Sequence, residues 1–564
     1  MRRKLSLALA TLCLASPAWA DPSPGSYLAG RQAGMEADYA AAARYFGTAL
    51  LSDAANADLQ EQTLTAFLGA GNVERAAALA EQFNAAGGES QIANMALMAH
   101  YARTENWDAL FDLLEAGNEV GPLLDGLTQA WAYVGKGNMD RALQSFDEVV
   151  DTPSLRPFGL HHKALALALV GDLEGANAIY SMPANVSFVP TRLTVVAHLR
   201  VLCALGEFER AAGIFERAFG ANPDLELSLI RDSIAAREIP DIRGVTSARD
   251  GVALAYLGLT DVLQGEANES YLLLHAQAAA YIAPDNPDTH IATARLLNAL
   301  GQYDAAAETF ARVATTDPRF PDAEMGRADA LRAAGRFDAA AEVLTQLTRN
   351  YPDQPLAYAS LGDVYRQQEK FEAAGRAYSD AITIYPEGSS ILWWLHYSRG
   401  ITFERLDQWP EAEADFRRAL VLNPDHPSVL NYLGYSLVDR GMSYDEALGM
   451  IETAVAARPD NGAIVDSLAW VYYKLGRYQD AVTPMERAVE LEPNDPILSD
   501  HLGDVYWMVG RTVEARFQWR RALSFEPEDD EADRIRRKLS VGLDAVYAEE
   551  GVTPAPAVEV ARDE

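Results

Sequence analysis

Cysteine is nearly absent from this chain, which has two cysteines in 564 residues. Two thiols cannot form a disulfide framework or a four-thiol zinc site. Positive charge is also scarce, since 47 Lys and Arg face 81 Asp and Glu, a formal net charge of −34. Nucleic acid and anionic membrane surfaces are bound through clustered cations, so this balance argues against both as partners.

The familiar motifs of catalysis and cofactor binding are missing as well. The sequence has no Gly-x-Gly-x-x-Gly, no Gly-x4-Gly-Lys-Ser/Thr and no Gly-x-Ser-x-Gly. The nine histidines are dispersed, and the one adjacent pair, His161-His162, would point about 100° apart on a helix and chelate poorly. Cys203 lies in an apolar helical segment, which predicts that its side chain is a buried hydrophobic group. We therefore expect no cofactor, no metal and no enzymatic activity.

Long hydrophobic runs are absent too, and the short run Leu5 to Ala15 lies at the N-terminus. It follows Arg2, Arg3 and Lys4 and precedes Ala18-Trp19-Ala20. This pattern predicts a signal peptide (residues 1–20) cleaved after Ala20, because a transmembrane helix needs about 20 apolar residues. Lipidation of Cys13 stays a minority alternative, since the large Leu12 precedes it.

What the chain has in abundance is repetition. Prolines that follow an apolar helical pattern recur with separations of 34, 34, 34, 38, 35, 34 and 34 residues. A fixed period of this length indicates a solenoid, and 34 is the length of a tetratricopeptide repeat, a pair of antiparallel helices. These prolines lie at positions 284, 318, 352, 386, 424, 459, 493 and 527.

The pattern inside each unit has a physical reason. Leu361 and Tyr365 are four residues apart, on one face of a first helix. Gly362 and Ala374 are small at positions where two helices approach closely. Gly476 falls where a first helix ends, which favours a residue that tolerates positive φ.

These observations predict an all-α fold, an α-solenoid superhelix of about fourteen helix pairs. Upstream units lack most of the prolines but keep the turn pattern, and the register slips between Pro223 and Gly251. We reject the alternative that residues 224–250 form an enzyme, because so short a segment cannot form a hydrophobic core. The predicted division is a degenerate N-terminal array at 21–223, an irregular insertion or joint at 224–250, an array of eight well-matched repeats at 251–527, a capping helix at 528–545 and a disordered acidic tail at 546–564.

The last four repeats carry aromatic and polar residues at positions 5, 9 and 12 of their first helices, one stripe that faces the concave groove in tetratricopeptide arrays. Large aromatic side chains beside hydrogen-bonding groups are typical of binding hot spots. Two interpretations remain open: a partner-binding groove, or packing between adjacent repeats. The predicted partner-binding residues are Tyr397, Asn431, Tyr435, Asp466, Trp470, Tyr473, Asp500, Asp504 and Trp507.

A finer resemblance rests on four blocks of sequence in the C-terminal third. They resemble envelope tetratricopeptide proteins of Gram-negative bacteria, some of which are outer-membrane lipoproteins that present substrates to a periplasmic processing protease. The resemblance implies a periplasmic scaffold or adaptor that binds other proteins, among them an envelope protease and its clients, with peripheral outer-membrane association as an option. The alternative is a purely structural scaffold for an outer-membrane or cell-wall complex. The blocks are 399–405, 430–436, 465–470 and 500–507.

Overall fold

The chain folds into a succession of antiparallel α-helix pairs. The computed structural model describes residues 23–183, 190–220, 224–240, 244–263 and 265–558, and the predicted signal peptide lies outside these residues. The chain divides into two compact units, residues 1–343 and 344–564, and the division falls within one helix, α19. The two units are referred to below as unit 1 and unit 2.

The helices of unit 1 are α1 (Ser23–Met35), α2 (Tyr39–Leu50), α3 (Ala57–Gly69), α4 (Val73–Ala85), α5 (Gln91–Arg103), α6 (Trp107–Glu115), α7 (Pro122–Gly135), α8 (Met139–Asp151), α9 (Arg156–Leu169), α10 (Leu173–Tyr180), α11 (Arg192–Ala204), α12 (Phe208–Phe219), α13 (Leu225–Ala236), α14 (Ala248–Val262), α15 (Glu269–Ile282), α16 (Pro287–Ala299), α17 (Tyr303–Phe310) and α18 (Phe320–Ala333). Helix α19 (Phe337–Asn350) follows.

The helices of unit 2 are α20 (Pro355–Gln367), α21 (Phe371–Ile384), α22 (Leu392–Arg405), α23 (Trp409–Leu422), α24 (Pro427–Asp439), α25 (Tyr444–Ala457), α26 (Gly462–Lys474), α27 (Tyr478–Leu491), α28 (Pro496–Met508), α29 (Thr512–Leu523), α30 (Asp529–Val541) and α31 (Leu543–Glu550). The all-α repeat architecture predicted from the 34-residue period is confirmed.

Small residues let the two helices of a repeat approach closely, as the sequence predicts. A Cβ atom added at Gly362 would lie 2.6 Å from Cε1 of Tyr378, and Ala374 is fully buried. Gly503 has the same relation to Trp519, at 2.4 Å. Gly476 has a φ of 74°, so the predicted left-handed end of its first helix is present.

In unit 1, helices from the middle of the sequence pack against the first repeats. The Tyr256 hydroxyl donates to the carbonyl oxygen of Met95 at 2.8 Å, and the Gln277 amide donates to that of Gly69 at 3.0 Å. One hydrophobic core runs from Ala33 to Ala283. The predicted joint at 224–250 is therefore not where the compact units divide, because α14 and α15 bury their apolar residues with α3, α5 and α7.

Gly251 sets the fit of α14 against α7. A Cβ atom there would lie 2.1 Å from Cδ2 of Trp131, a fully buried side chain. We expect Gly251→Ala to lower the free energy of unfolding by about 1 to 3 kcal/mol, because overpacking displaces the ring or the helix. Urea unfolding followed by circular dichroism measures this loss.

Gly258 provides the matched control in the same helix. No atom of another residue packed there lies within 4 Å of a Cβ atom added at Gly258, so Gly258→Ala should be neutral or stabilise by up to about 1 kcal/mol through helix propensity. Equal midpoints for the two variants would contradict the proposed packing of α14 on Trp131.

Candidate functional site

The nine predicted partner-binding residues all lie on first helices of consecutive repeats, α22, α24, α26 and α28. We call them the first-helix stripe. Asp466, Trp470, Tyr473 and Asp504 are buried, with at most 9% of their surface exposed. The other five are half-buried: Tyr397, Asn431, Tyr435, Asp500 and Trp507.

The middle of the stripe is a stacked aromatic cluster. The ring of Trp470 is nearly parallel to that of Tyr473, at 4.7 Å between centroids, and to that of His501, at 3.9 Å. His501 Nδ1 lies 2.9 Å from Oδ1 of Asp466. Burial alone would lower the pKa of His501, but the neighbouring carboxylates, Asp466 first, raise it above its usual value. These residues connect α26 to α28, so packing between repeats accounts for this part of the stripe.

A buried lysine from outside the repeats lies at the C-terminal end of the stripe. Lys538 of α30 is fully buried, and its Nζ lies 2.7 Å from Oδ2 of Asp500 and 2.7 Å from both carboxylate oxygens of Asp504. Asp504 also accepts from the indole nitrogen of Trp519 at 2.9 Å. Burial and the Asp504 charge raise the pKa of Asp500, and Lys538 opposes that rise.

Helix α31 adds further contacts to the stripe. The hydroxyls of Tyr473 and Tyr547 are 2.6 Å apart, and the Trp507 indole donates to Asp544 at 3.1 Å. Beyond α31, the Tyr478 hydroxyl donates to the carbonyl oxygen of Ala555 at 2.6 Å.

The backbone nitrogen of Val558 then donates to the carbonyl oxygen of Gly476 at 3.0 Å. We call residues 529–558 the C-terminal segment. We call the part of the stripe that it covers (Tyr473, Asp500, Asp504 and Trp507) the closed end.

This arrangement differs from the predicted capping helix at 528–545 and disordered tail at 546–564. The cap is two helices, and α31 continues to Glu550. Leu543 and Tyr547 are buried in the core of the last repeats, so the helical cap extends beyond residue 545. Residues 559–564 lie outside the described part of the chain.

The N-terminal half of the stripe is different, and we call Tyr397, Asn431 and Tyr435 the open end. None of the contacts described for the C-terminal segment involves these three residues. The Tyr397 ring lies 6.0 Å from that of Tyr432. Among the described residues, Asn431 Oδ1 has no hydrogen-bond partner. The half-buried rings of Tyr397 and Tyr435, with the half-buried Asn431 between them in the sequence, are groups that the side chains of another polypeptide could contact.

The sequence analysis missed a second buried ion cluster next to the open end. Arg399 donates to Asp415 through Nε at 2.7 Å and Nη2 at 2.8 Å, and His396 Nδ1 lies 2.7 Å from Asp415 Oδ1. Burial would raise the pKa of Asp415, but Arg399 and His396 lower it. Lys538 and Tyr547 were also missed. The spacing of Ala532, Ile535 and Lys538 on one helical face was the available signal.

The adjacent histidines and the candidate metal ligands have other surroundings. Within them, no group of three or more His, Cys, Asp or Glu is placed to hold a metal ion. His162 accepts from the Trp131 indole at 2.9 Å, and His161 is hydrogen-bonded to Tyr180, so the adjacent histidines serve packing. No helix in the described part of the chain is long and apolar enough to cross a membrane.

Comparison with known families agrees with the repeat architecture. A tetratricopeptide repeat family model matches residues 291–344, 325–389, 397–462, 442–496 and 467–530. A TPR repeat-containing protein of Pseudomonas aeruginosa is 37% identical over 93 residues, a match that spans 16% of this chain and 15% of that protein.

Two solved structures illustrate the structural comparison. The APC/C hetero-tetramer Cut9–Hcn1 has 15% identity and a TM-score of 0.38, with 93% of this chain and 98% of that chain covered. A tetratricopeptide repeat protein from Parabacteroides merdae has 17% identity and a TM-score of 0.39, with 46% and 98% covered.

Proposed function

Because the C-terminal part of this chain is a tetratricopeptide-repeat array, a fold that generally serves protein interaction, we propose that the protein is a non-enzymatic scaffold or adaptor of the bacterial cell envelope. Its partner would be a polypeptide bound at the open end of the first-helix stripe. Export to the periplasm is part of the proposal and is supported by the signal-peptide pattern of residues 1–20.

One observation carries the proposal: this face of the repeats already binds a polypeptide, the chain's own C-terminal segment. At the stripe that segment is held by an ion-paired lysine and a tyrosine pair. Further hydrogen bonds join Ala555 to Tyr478 of the second helix α27 and Val558 to Gly476 in the turn before it. The open end continues along the same helix positions, with aromatic rings at Tyr397 and Tyr435 and the uncharged Asn431 where the closed end has carboxylates. A partner there would place its side chains against the aromatic rings and would need no lysine.

The finer proposal is that the scaffold presents client proteins to an envelope protease. Its support is the resemblance of the four C-terminal sequence blocks to envelope adaptors. The alternative, a structural scaffold that needs no open stripe, predicts that partners bind elsewhere on the protein.

A pulldown from the native envelope fraction separates these possibilities. The bait is the mature full chain, and the test variant combines Asn431→Ala and Tyr435→Ala. Loss of two hot-spot contacts should weaken capture of the enriched partner at least about tenfold. Val421→Ala is the control, since Val421 is 68% exposed on the second helix α23.

The proposal fails if the double variant retains its fold, by circular dichroism and melting temperature, and captures the same proteins as the wild type. Equal loss in the Val421→Ala control would likewise contradict binding at the stripe.

A further inference from the structure

Residues 552–558, which follow α31, lie across the turn between α26 and α27 in unit 2. We call them the strap. Their sequence is Val-Thr-Pro-Ala-Pro-Ala-Val, which has no charged side chain although the whole chain has a formal net charge of −34. Charged groups are costly to remove from water, so a segment without them can lie against the repeats at little desolvation cost.

The repeats recognise the main chain of the strap. The Tyr478 hydroxyl donates to the carbonyl oxygen of Ala555 at 2.6 Å, and the backbone nitrogen of Val558 donates to the carbonyl oxygen of Gly476 at 3.0 Å. The Tyr478 ring packs edge-on against that of Tyr473, at 5.2 Å between centroids, which fixes the donor in place. Burial raises the pKa of Tyr478, so its hydroxyl keeps its proton. Such a contact accepts any segment that presents a carbonyl and, three residues later, an N–H.

Two prolines favour the shape that these bonds require. Pro554 and Pro556 each fix φ at about −65° and push the residue before them towards extended backbone. In the polyproline II conformation a turn takes about three residues, so the carbonyl of Ala555 and the N–H of Val558 point to nearly the same side. A segment restricted in this way loses little conformational entropy when it binds.

Gly476 allows the close approach of the strap. It has a φ of 74° after the end of α26, and a Cβ atom added there would lie 2.3 Å from the carbonyl oxygen of Pro556. Gly510 has the same position after α28, with a φ of 84°, but no atom of another residue packed there lies within 4 Å of a Cβ atom added to it. Positive φ therefore serves both helix ends, whereas the contact with a second stretch of main chain belongs to Gly476.

The strap is held weakly enough to leave while the repeats stay folded. Among the residues that the structure describes, only these two hydrogen bonds join residues 553–558 to the repeats. Val552 and Val558 keep 47% and 55% of their surface exposed. A neutral hydrogen bond contributes little net free energy, so we expect the strap to exchange between a bound and a released form. In the released form, Tyr478 and the carbonyl of Gly476 can bind another polypeptide.

We propose that this turn is a second binding site, which takes an extended proline-containing segment of a partner protein and has the strap as its internal competitor. The partner segment accepts from Tyr478 through one carbonyl and donates to Gly476 through the N–H three residues later. Prolines on either side of the accepting residue hold it extended, as Pro554 and Pro556 do for Ala555. The site is separate from the open end of the stripe, so it does not depend on the function proposed above.

Fluorescence anisotropy with a labelled peptide of residues 552–558 tests the proposal on the full-length chain. The test variant keeps its full length but has Gly and Ser in place of residues 552–558, which frees the site of the strap. We expect this Gly-Ser variant to bind the peptide at least about tenfold more tightly than the wild type does, because the tethered strap of the wild type competes at an effective concentration of about 1 mM.

Two matched controls locate the binding. In the Gly-Ser variant, Gly476→Ala should abolish peptide binding, whereas Gly510→Ala, which imposes the same strain at a helix end, should leave it unchanged. Melting curves show whether both are folded. A peptide methylated at the nitrogen of Val558 has no N–H for Gly476, so it should bind the Gly-Ser variant about fivefold more weakly, without any further change to the protein.

The proposal is overturned if the Gly-Ser variant does not bind the peptide or binds it no more tightly than the wild type. Full binding by a folded Gly476→Ala variant, or equal binding of the methylated and unmethylated peptides, would also overturn it. Sedimentation of the wild type identifies the other occupant. A dimer that becomes a monomer in the Gly-Ser variant would assign the site to exchange of straps between two copies and would contradict a separate partner.

Discussion

Replacing Lys538 with Met is expected to lower the free energy of unfolding of unit 2 by about 3 to 5 kcal/mol. The substitution removes the buried cation shared by Asp500 and Asp504 and leaves Asp504, which is 1% exposed, only the Arg534 guanidinium at 3.9 Å. An uncompensated charge in that environment is costly because water cannot replace the missing ammonium group. Urea unfolding followed by tryptophan fluorescence measures the change.

Arg536→Met is the matched control in the same helix. Arg536 and its partner Asp533 are largely exposed, with 62% and 80% of their side-chain surface accessible, so we expect a loss below about 1 kcal/mol. Adding Asp500→Asn and Asp504→Asn to Lys538→Met should restore part of the stability. Equal effects of Lys538→Met and Arg536→Met would contradict the buried ion cluster.

Acidification is expected to unfold unit 1 before unit 2. Burial holds the pKa of His161, His198 and His275 at about 4 and lowers those of His162 and His290. An unfolded histidine titrates near pH 6.5. Below that pH the unfolded chain binds protons that the folded chain does not, so stability is present above about pH 6.5 and is lost as the pH falls towards 4.

The expected loss is large. His161 and His275 are each buried, and each costs about 3 kcal/mol at pH 4 if its pKa falls from 6.5 to 4. Two such residues approach the whole stability of a typical domain, about 5 to 15 kcal/mol.

In unit 2 the pKa of His501 is raised, so its contribution to the stability of the fold is full below pH 6.5 and is lost as the pH rises through the pKa of the folded state. The pKa of Asp415 is lowered, so its contribution to stability is lost only when the pH falls below 3.8, the ordinary pKa of an aspartate.

Hydrogen exchange read by mass spectrometry at pH 7.5, 6, 5 and 4, corrected for the intrinsic pH dependence of exchange, follows the two units separately. Peptides from α9, α11 and α15 should lose protection before peptides from α26 and α28. His275→Leu should shift the loss in α15 to lower pH, because neither ring nitrogen has a partner among the described residues. Earlier opening of α26 and α28 would contradict the assignment.

Much of the fold follows from the sequence because each repeat is specified locally. The spacing of Leu361 and Tyr365 gives a helical face, Gly362 permits the approach of Tyr378, and Gly476 ends its helix with positive φ. The return of α14 and α15 onto the first repeats is not local. Tyr256 bonds to Met95 161 residues away, and no periodicity encodes such a pairing.

The candidate site was likewise predictable only in its local features. The sequence predicts which stripe carries aromatic and polar side chains, but it does not predict that the C-terminal segment covers one end of this stripe. The stretch around Lys538 is rich in Asp and Arg, a composition that predicts a solvent-exposed helix. The burial of Lys538 depends on Asp500 and Asp504, more than 30 residues earlier in the sequence.

The central claim is that the stripe binds polypeptides, with its closed end filled by the chain itself and its open end available to a partner. Photo-crosslinking in native envelopes tests it most directly, with a photoreactive amino acid placed at Tyr435, Trp507 or Val421. The account predicts crosslinks to a partner protein from Tyr435, crosslinks within the chain from Trp507, and no partner crosslink from the exposed control Val421. Partner crosslinks from Trp507 or Val421 with none from Tyr435 would contradict it.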